Sequence, residues 1–114
     1  MRVLRFALVV LLAGGLPLTS ARAADCDGLD AKIAAAKTAA DHEAIAACYD
    51  ASAKAAHDKV AEHKKMKAAY EGIGAAAKMQ LPQHCDYFTK TYAADAKMYE
   101  QMAAAHRKMA KEVK

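Results

Sequence analysis

The chain has 114 residues, with 17 Lys and Arg against 13 Asp and Glu, five His, three Cys and no Trp. That length holds one domain. Arg2, Arg5 and Arg22 fall in the first 23 positions, so the remainder carries 14 basic and 13 acidic residues, interleaved. No nucleic-acid partner is expected, because such binders gather positive charge on one face.

The first stretch, MRVLRFALVVLLAGGLPLTSARA, has a basic start at Arg2 and Arg5, an apolar run from Phe6 to Leu12, helix breakers at Gly14, Gly15 and Pro17, and an A-x-A site at Ala21-Arg22-Ala23. This pattern predicts a cleaved secretory signal peptide over residues 1–23. The apolar run is far short of the roughly 20 residues that span a bilayer, so no membrane association is expected after cleavage. The expected destination is the periplasm, or release from the cell. Residues 24–114 form the single remaining domain.

That domain is rich in Ala, Lys, Glu, Gln and Met, all strong helix formers, and shows no sustained strand-like alternation. The expected class is all-α: a long antiparallel helical hairpin with a short N-terminal third helix. Asp27 or Asp30 is placed to cap a first helix over about 30–37. Thr38-Ala39-Ala40-Asp41 has the form of a capping box, T-x-x-D, and predicts a restart at 39; an unbroken helix from about residue 30 is the alternative. The second helix should run over 39–71 on a stripe of Ile45, Tyr49, Ala53, Ala56, Val60, His63, Met66 and Tyr70. Gly72 and Gly74 should end it, with a linker over 75–81. Pro82 suits the first turn of a third helix over 82–111, whose stripe is Cys85, Phe88, Tyr92, Ala96, Tyr99, Met102, His106 and Met109. If the two long helices fold back as a hairpin, facing residues should sum to about 153.

A repeat runs through both helices. Tyr49 to Met66 (YDASAKAAHDKVAEHKKM) matches Tyr92 to Met109 (YAADAKMYEQMAAAHRKM) after a shift of 43 positions, placing His63 and Met66 on His106 and Met109. Three helices of this make-up bury a thin core, so a disulfide or pairing of two hairpins into a homo-oligomeric four-helix bundle, or both, should supplement it.

Cys26, Cys48 and Cys85 make an odd count for an exported chain. Cys48 and Cys85 should stand about 30 Å apart along the helix axis, beyond disulfide reach. Cys26 precedes a helix that doubles back towards Cys48. The expected bridge is Cys26–Cys48, with Cys85 free.

In the hairpin register, His63 and Met66 come near His84 and Cys85 at the turn end. His106 and Met109 come near His42 and Cys48 at the open end, with Met102 one turn away. Imidazole, thioether and thiolate suit copper or zinc. The metal reading is therefore copper held by His63, Met66, His84 and Cys85, with Met102, His106 and Met109 as a second cluster. The competing reading is packing: a Met stripe at helical spacing fills cores, and a His there bonds a hydroxyl or carbonyl. His42 and His57 read as surface residues, and Lys64, Lys65 and Lys67 as a solvated face or a docking surface for an acidic protein partner.

No enzymatic motif is present. Ser52, the one Ser after the leader, lacks a G-x-S-x-G frame, Gly72-Ile73-Gly74 is too short for a phosphate loop, and there is no C-x-x-C. The segments DHEAIAACY, AEHKKMKAAY, LPQHCDYF and MAAAHRKMA make the chain similar to small exported bacterial Ala-rich helical hairpin proteins of unassigned function. That resemblance implies no activity. By class analogy, small periplasmic helical bundles bearing His and Met include metal-binding proteins. The functional expectation is a non-catalytic binding protein for copper, with a self-associating structural or interaction hairpin as the alternative.

Overall fold

Two long helices account for most of residues 25–114, the part of the chain that the computed structural model describes. The signal-peptide expectation for residues 1–23 lies outside the described residues. In chain order the elements are α1 (Leu29–Ala35), α2 (Ala39–Glu71), α3 (Gly74–Lys78) and α4 (Leu81–Glu112). Helices α2 and α4 pack along their length as the expected antiparallel hairpin, and α1 folds back on the start of α2.

The break before α2 is fixed by its cap. Thr38 Oγ1 accepts from the Asp41 amide at 3.1 Å, and Asp41 Oδ2 accepts from the Thr38 and Lys37 amides at 2.8 and 2.9 Å. Both halves of the capping box are present, so orphan amides at the helix start are satisfied reciprocally. Helix α1 starts differently from expectation. Gly28, in the left-handed region at φ 63°, stands at the N-cap, and neither Asp27 nor Asp30 caps the helix.

The turn also differs. The expected linker contains α3, and the left-handed residue there is Gln80, at φ 57°, immediately before α4. Gly72 keeps a right-handed φ of −77°. Chain reversal therefore uses one extra helical turn, which buries Ala76 beneath it.

Burial along α4 recurs every seven residues. Pro82, Ala96, Ala103 and Ala110 are buried in one row with half-buried Thr89. Three positions on, Cys85 is buried and Tyr92, Tyr99 and His106 are half-buried. In α2 the first row is Ala46, Ala53, Val60 and Lys67, and the second is Tyr49, Ala56, His63 and Tyr70. Small residues in one row and larger ones in the next let two backbones approach while rings fill the flanks, as in a seven-residue coiled-coil seam. The shift of 43 carries each row of α2 onto its equivalent in α4: Ala53 onto Ala96, Tyr49 onto Tyr92, His63 onto His106. The repeat thus encodes the face through which the helices meet.

The core is thin. Ile45, Ala46, Tyr49 and Ala103 form its main cluster, with Leu29, Ala36 and Tyr99 packed against it. Among the described residues Ile45 is the largest side chain that is almost fully buried. Polar pairs flank the seam: Lys67 forks onto Asp86 at 2.8 and 3.0 Å, His57 meets Glu100 at 2.8 Å, and Arg107 forks onto Asp50. Lys67 is therefore half-buried and bound across the hairpin, unlike exposed Lys64 and Lys65. The residue numbers of these three pairs sum to between 153 and 157, close to the expected register; a looser fourth pair, Arg107 with Glu43 at 3.9 Å, sums to 150.

Cys26 and Cys48 form the expected disulfide, their Cα atoms 5.5 Å apart, and Cys85 is a free, buried thiol. No helix among the described residues is long and apolar enough to cross a membrane.

Candidate functional site

The open end of the hairpin gathers more chemistry than the turn end. The capping box sets the first turn of α2 and, with it, His42. The last turns of α4 bring His106 opposite. Their Nδ1 atoms lie 3.1 Å apart and their ring centroids 5.3 Å apart. A neutral imidazole has one N–H and one bare nitrogen. At that distance one facing Nδ1 carries a hydrogen and the other accepts it. The His106 ring also stacks on Tyr49 at 5.7 Å, and Tyr49 stacks in turn on Tyr99 at 6.3 Å. Burial, and then the neighbouring His42, hold the His106 imidazole below its ordinary pKa of 6.5. Arg107, one residue on, is raised by its hydrogen bond to Asp50 and then by that carboxylate's charge.

His42 was expected at the surface. It is half-buried because it stands seven residues before Tyr49, on the second row of the seam. That spacing was the available signal. The other residues of the open-end cluster are placed differently. Cys48 is in the disulfide, and Met102 and Met109 are 39% and 36% exposed on the side of α4.

At the turn end, His63 is half-buried and its ring stacks on Phe88 at 4.8 Å and Tyr92 at 5.6 Å. Its Nδ1 is buried without a hydrogen-bond partner, so ring stacking, not a hydroxyl or carbonyl, holds it. Met66 is half-buried and Cys85 buried. His84 is exposed and lines a shallow groove with Gln83, Tyr87 and Phe88. Adjacent helical residues point about 100° apart, which separates His84 from the seam that holds Cys85. Among the described residues no group of three or more His, Cys, Asp or Glu is placed to hold a metal ion.

Two other features stand out. An open groove of about 610 Å³ lies along the α1 side of α2, lined by Ala35, Ala44, Ile45 and Cys48 with the charged Asp25, Lys32 and Asp41. The second is a lateral face of α4. Tyr87, Phe88, Met98, Met102 and Met109 are between 36% and 65% exposed and, at 100° per residue, share an arc of about 100°. His84, Thr91 and Ala105 complete that arc with His106 at its edge, level with Phe88, and Asp95 is its one acidic residue. Every exposed large apolar side chain within the two long helices is on α4.

No protein-family model, no curated protein and no solved structure matches this chain.

Proposed function

We propose that the protein is a periplasmic, non-catalytic interaction module, a disulfide-pinned hairpin that self-associates through the lateral face of α4 into a four-helix assembly. The observation that carries this reading is the one-sided distribution of exposed apolar residues: α4 presents five, α2 none. A two-helix seam built on alanine leaves this surface in water, and a second copy offers a surface of the same kind. The five side chains expose roughly 450 Å² together, taking about 150–250 Å² for each when whole. That is about half of the 800 Å² per partner in a standard interface. Small residues of the arc and the lysine stems beside it supply the remainder.

The sequence of the face sets the orientation. Tyr87 and Phe88 lie at one end and Met109 at the other, with Met98 midway. An antiparallel two-fold pair centred on Met98 brings the aromatic end of each α4 against the Met end of its partner. Sulfur–aromatic contacts favour this arrangement, and a two-fold axis makes it isologous. The copper reading of the two tips has less support, since His84 and Cys85 point apart and Cys48 is bonded to Cys26.

Sedimentation velocity tests the proposal. The purified protein should sediment as a dimer at roughly 100 μM, and Met98→Glu should return it to monomer with its helical circular dichroism intact. A wild-type chain that stays monomeric at that concentration overturns it.

A further inference from the structure

The His42–His106 pair is not used by the interaction reading. It lies across the seam, one imidazole from each long helix, with the facing Nδ1 atoms 3.1 Å apart. We propose that these two imidazoles form a binding site for a divalent first-row transition-metal ion, of the zinc or copper(II) class, that staples the start of α2 to the end of α4.

The distance carries the argument. Metal–imidazole bonds are about 2.0–2.1 Å long. An ion at that distance from both nitrogens subtends an N–M–N angle of about 98°, given their 3.1 Å separation. This lies between the right angle of a square-planar site and the tetrahedral angle, the geometries of copper(II) and zinc. A linear two-coordinate copper(I) ion would hold the nitrogens about 4 Å apart, so the spacing selects against it. The ion takes the place of the one hydrogen shared by the rings; the ring that carried it takes up a proton at Nε2, so both imidazoles are neutral Nε2–H tautomers with the Nδ1 lone pair free for the metal.

The surroundings restrain the rings. His106 is stacked on Tyr49 at 5.7 Å. His42 is in the first turn of a capped helix whose next turns carry the disulfide at Cys48. Two ligands already facing each other on separate helices need little reorganisation to bind. No third His, Cys, Asp or Glu among the described residues joins them, so water or a donor from another molecule fills the remaining positions. The site therefore keeps the two histidines of the open end, His42 and His106, and dispenses with Cys48, Met102 and Met109.

The test is titration of the purified protein with Zn(II) against a chromophoric chelator, at concentrations where it is monomeric, so that failure of self-association does not affect the result. One Zn(II) per chain is expected. His42→Asn and His106→Asn should each weaken binding by about tenfold or more, while His57→Gln leaves it unchanged. Because His106 also packs on Tyr49, the wild-type protein is followed in parallel by imidazole ¹H–¹⁵N NMR. Zn(II) should move the Nδ1 resonances of His42 and His106 and leave those of His57, His63 and His84 in place. Absence of stoichiometric binding, equal weakening by His57→Gln, or shifts centred on the other three histidines overturns the proposal.

Discussion

Replacing Cys26 and Cys48 by serine should release α1 and leave the hairpin standing. The bridge closes a segment of 22 residues. In the chain-entropy treatment, a loop of that size is worth about 3.4 kcal/mol at 25 °C. Which part of the molecule loses that stability follows from packing. Helix α1 has seven residues and none of them is buried. It touches the core through half-buried Leu29, with Ala36 just beyond its end. A helix that short is not stable alone in water, so the disulfide is its main restraint. The long α2–α4 seam lies outside the closed loop except for the first turns of α2. Native-state hydrogen exchange gives the partition. Amides of α1, such as Lys32 bonded to Gly28 at 3.1 Å, should lose nearly all protection. Amides at the centres of α2 and α4 should lose less than about 1 kcal/mol. A uniform loss near the full value across both long helices would refute the reasoning, as would an α1 that stays protected.

Three further outcomes are expected. Ala96, fully buried at the seam, has no room for a larger side chain, so Ala96→Leu should destabilise by about 1–3 kcal/mol in urea unfolding; an unchanged midpoint contradicts the close-packed seam. Thr38→Ala removes half of the capping box and should cost about 0.5–2 kcal/mol; a loss below the error of the melt would mean that the cap does not set the start of α2. In metal-free buffer, stability should fall as the solution is acidified. His106 is held below 6.5 in the folded state by burial and then by His42, so the unfolded chain takes up that proton first. Stability is therefore full above 6.5 and is lost as pH falls from there towards the folded value. A second loss follows as pH falls through 3.8 and below. Asp41, lowered by the Lys37 and Thr38 amides, and Asp50, lowered by its Arg107 hydrogen bond, then become protonated. A urea midpoint that stays flat between pH 7.5 and 5 would contradict the histidine part.

Local signals made much of the fold legible. Thr38 and Asp41 announce the start of α2 because the capping box uses side chains three residues apart and needs no tertiary partner. The hairpin register followed from helix length and the position of the turn: a sum of about 153 sets His63 level with residue 90, and its ring stacks on Phe88 and Tyr92, two positions to either side. The Cys26–Cys48 bridge followed from the same geometry. Features that depend on three-dimensional context were harder to read. Gln80 takes a left-handed conformation that residue type would assign to Gly72 or Gly74. The spacing of three and four identifies a face but not which of its edges meets the other helix. The stripe therefore included Phe88, Met102 and Met109, which stand at the exposed edge, and omitted Ala103 and Ala110, which are buried. His42 and Lys67 were assigned to solvent by residue type, although both fall on the seven-residue rows. The repeat at residues 49 and 92 indicated common architecture, and the structure gives its physical meaning as a shared packing face.

The most direct test of the central claim is an isotope-filtered NMR experiment on a mixture of ¹³C-methyl-methionine chains and unlabelled chains. If the α4 faces pair antiparallel about Met98, the methyl group of Met109 in one chain should show intermolecular contacts to the Tyr87 and Phe88 rings of another. A dimer-range sample without such contacts, or with Met109 meeting Met109, would contradict the account.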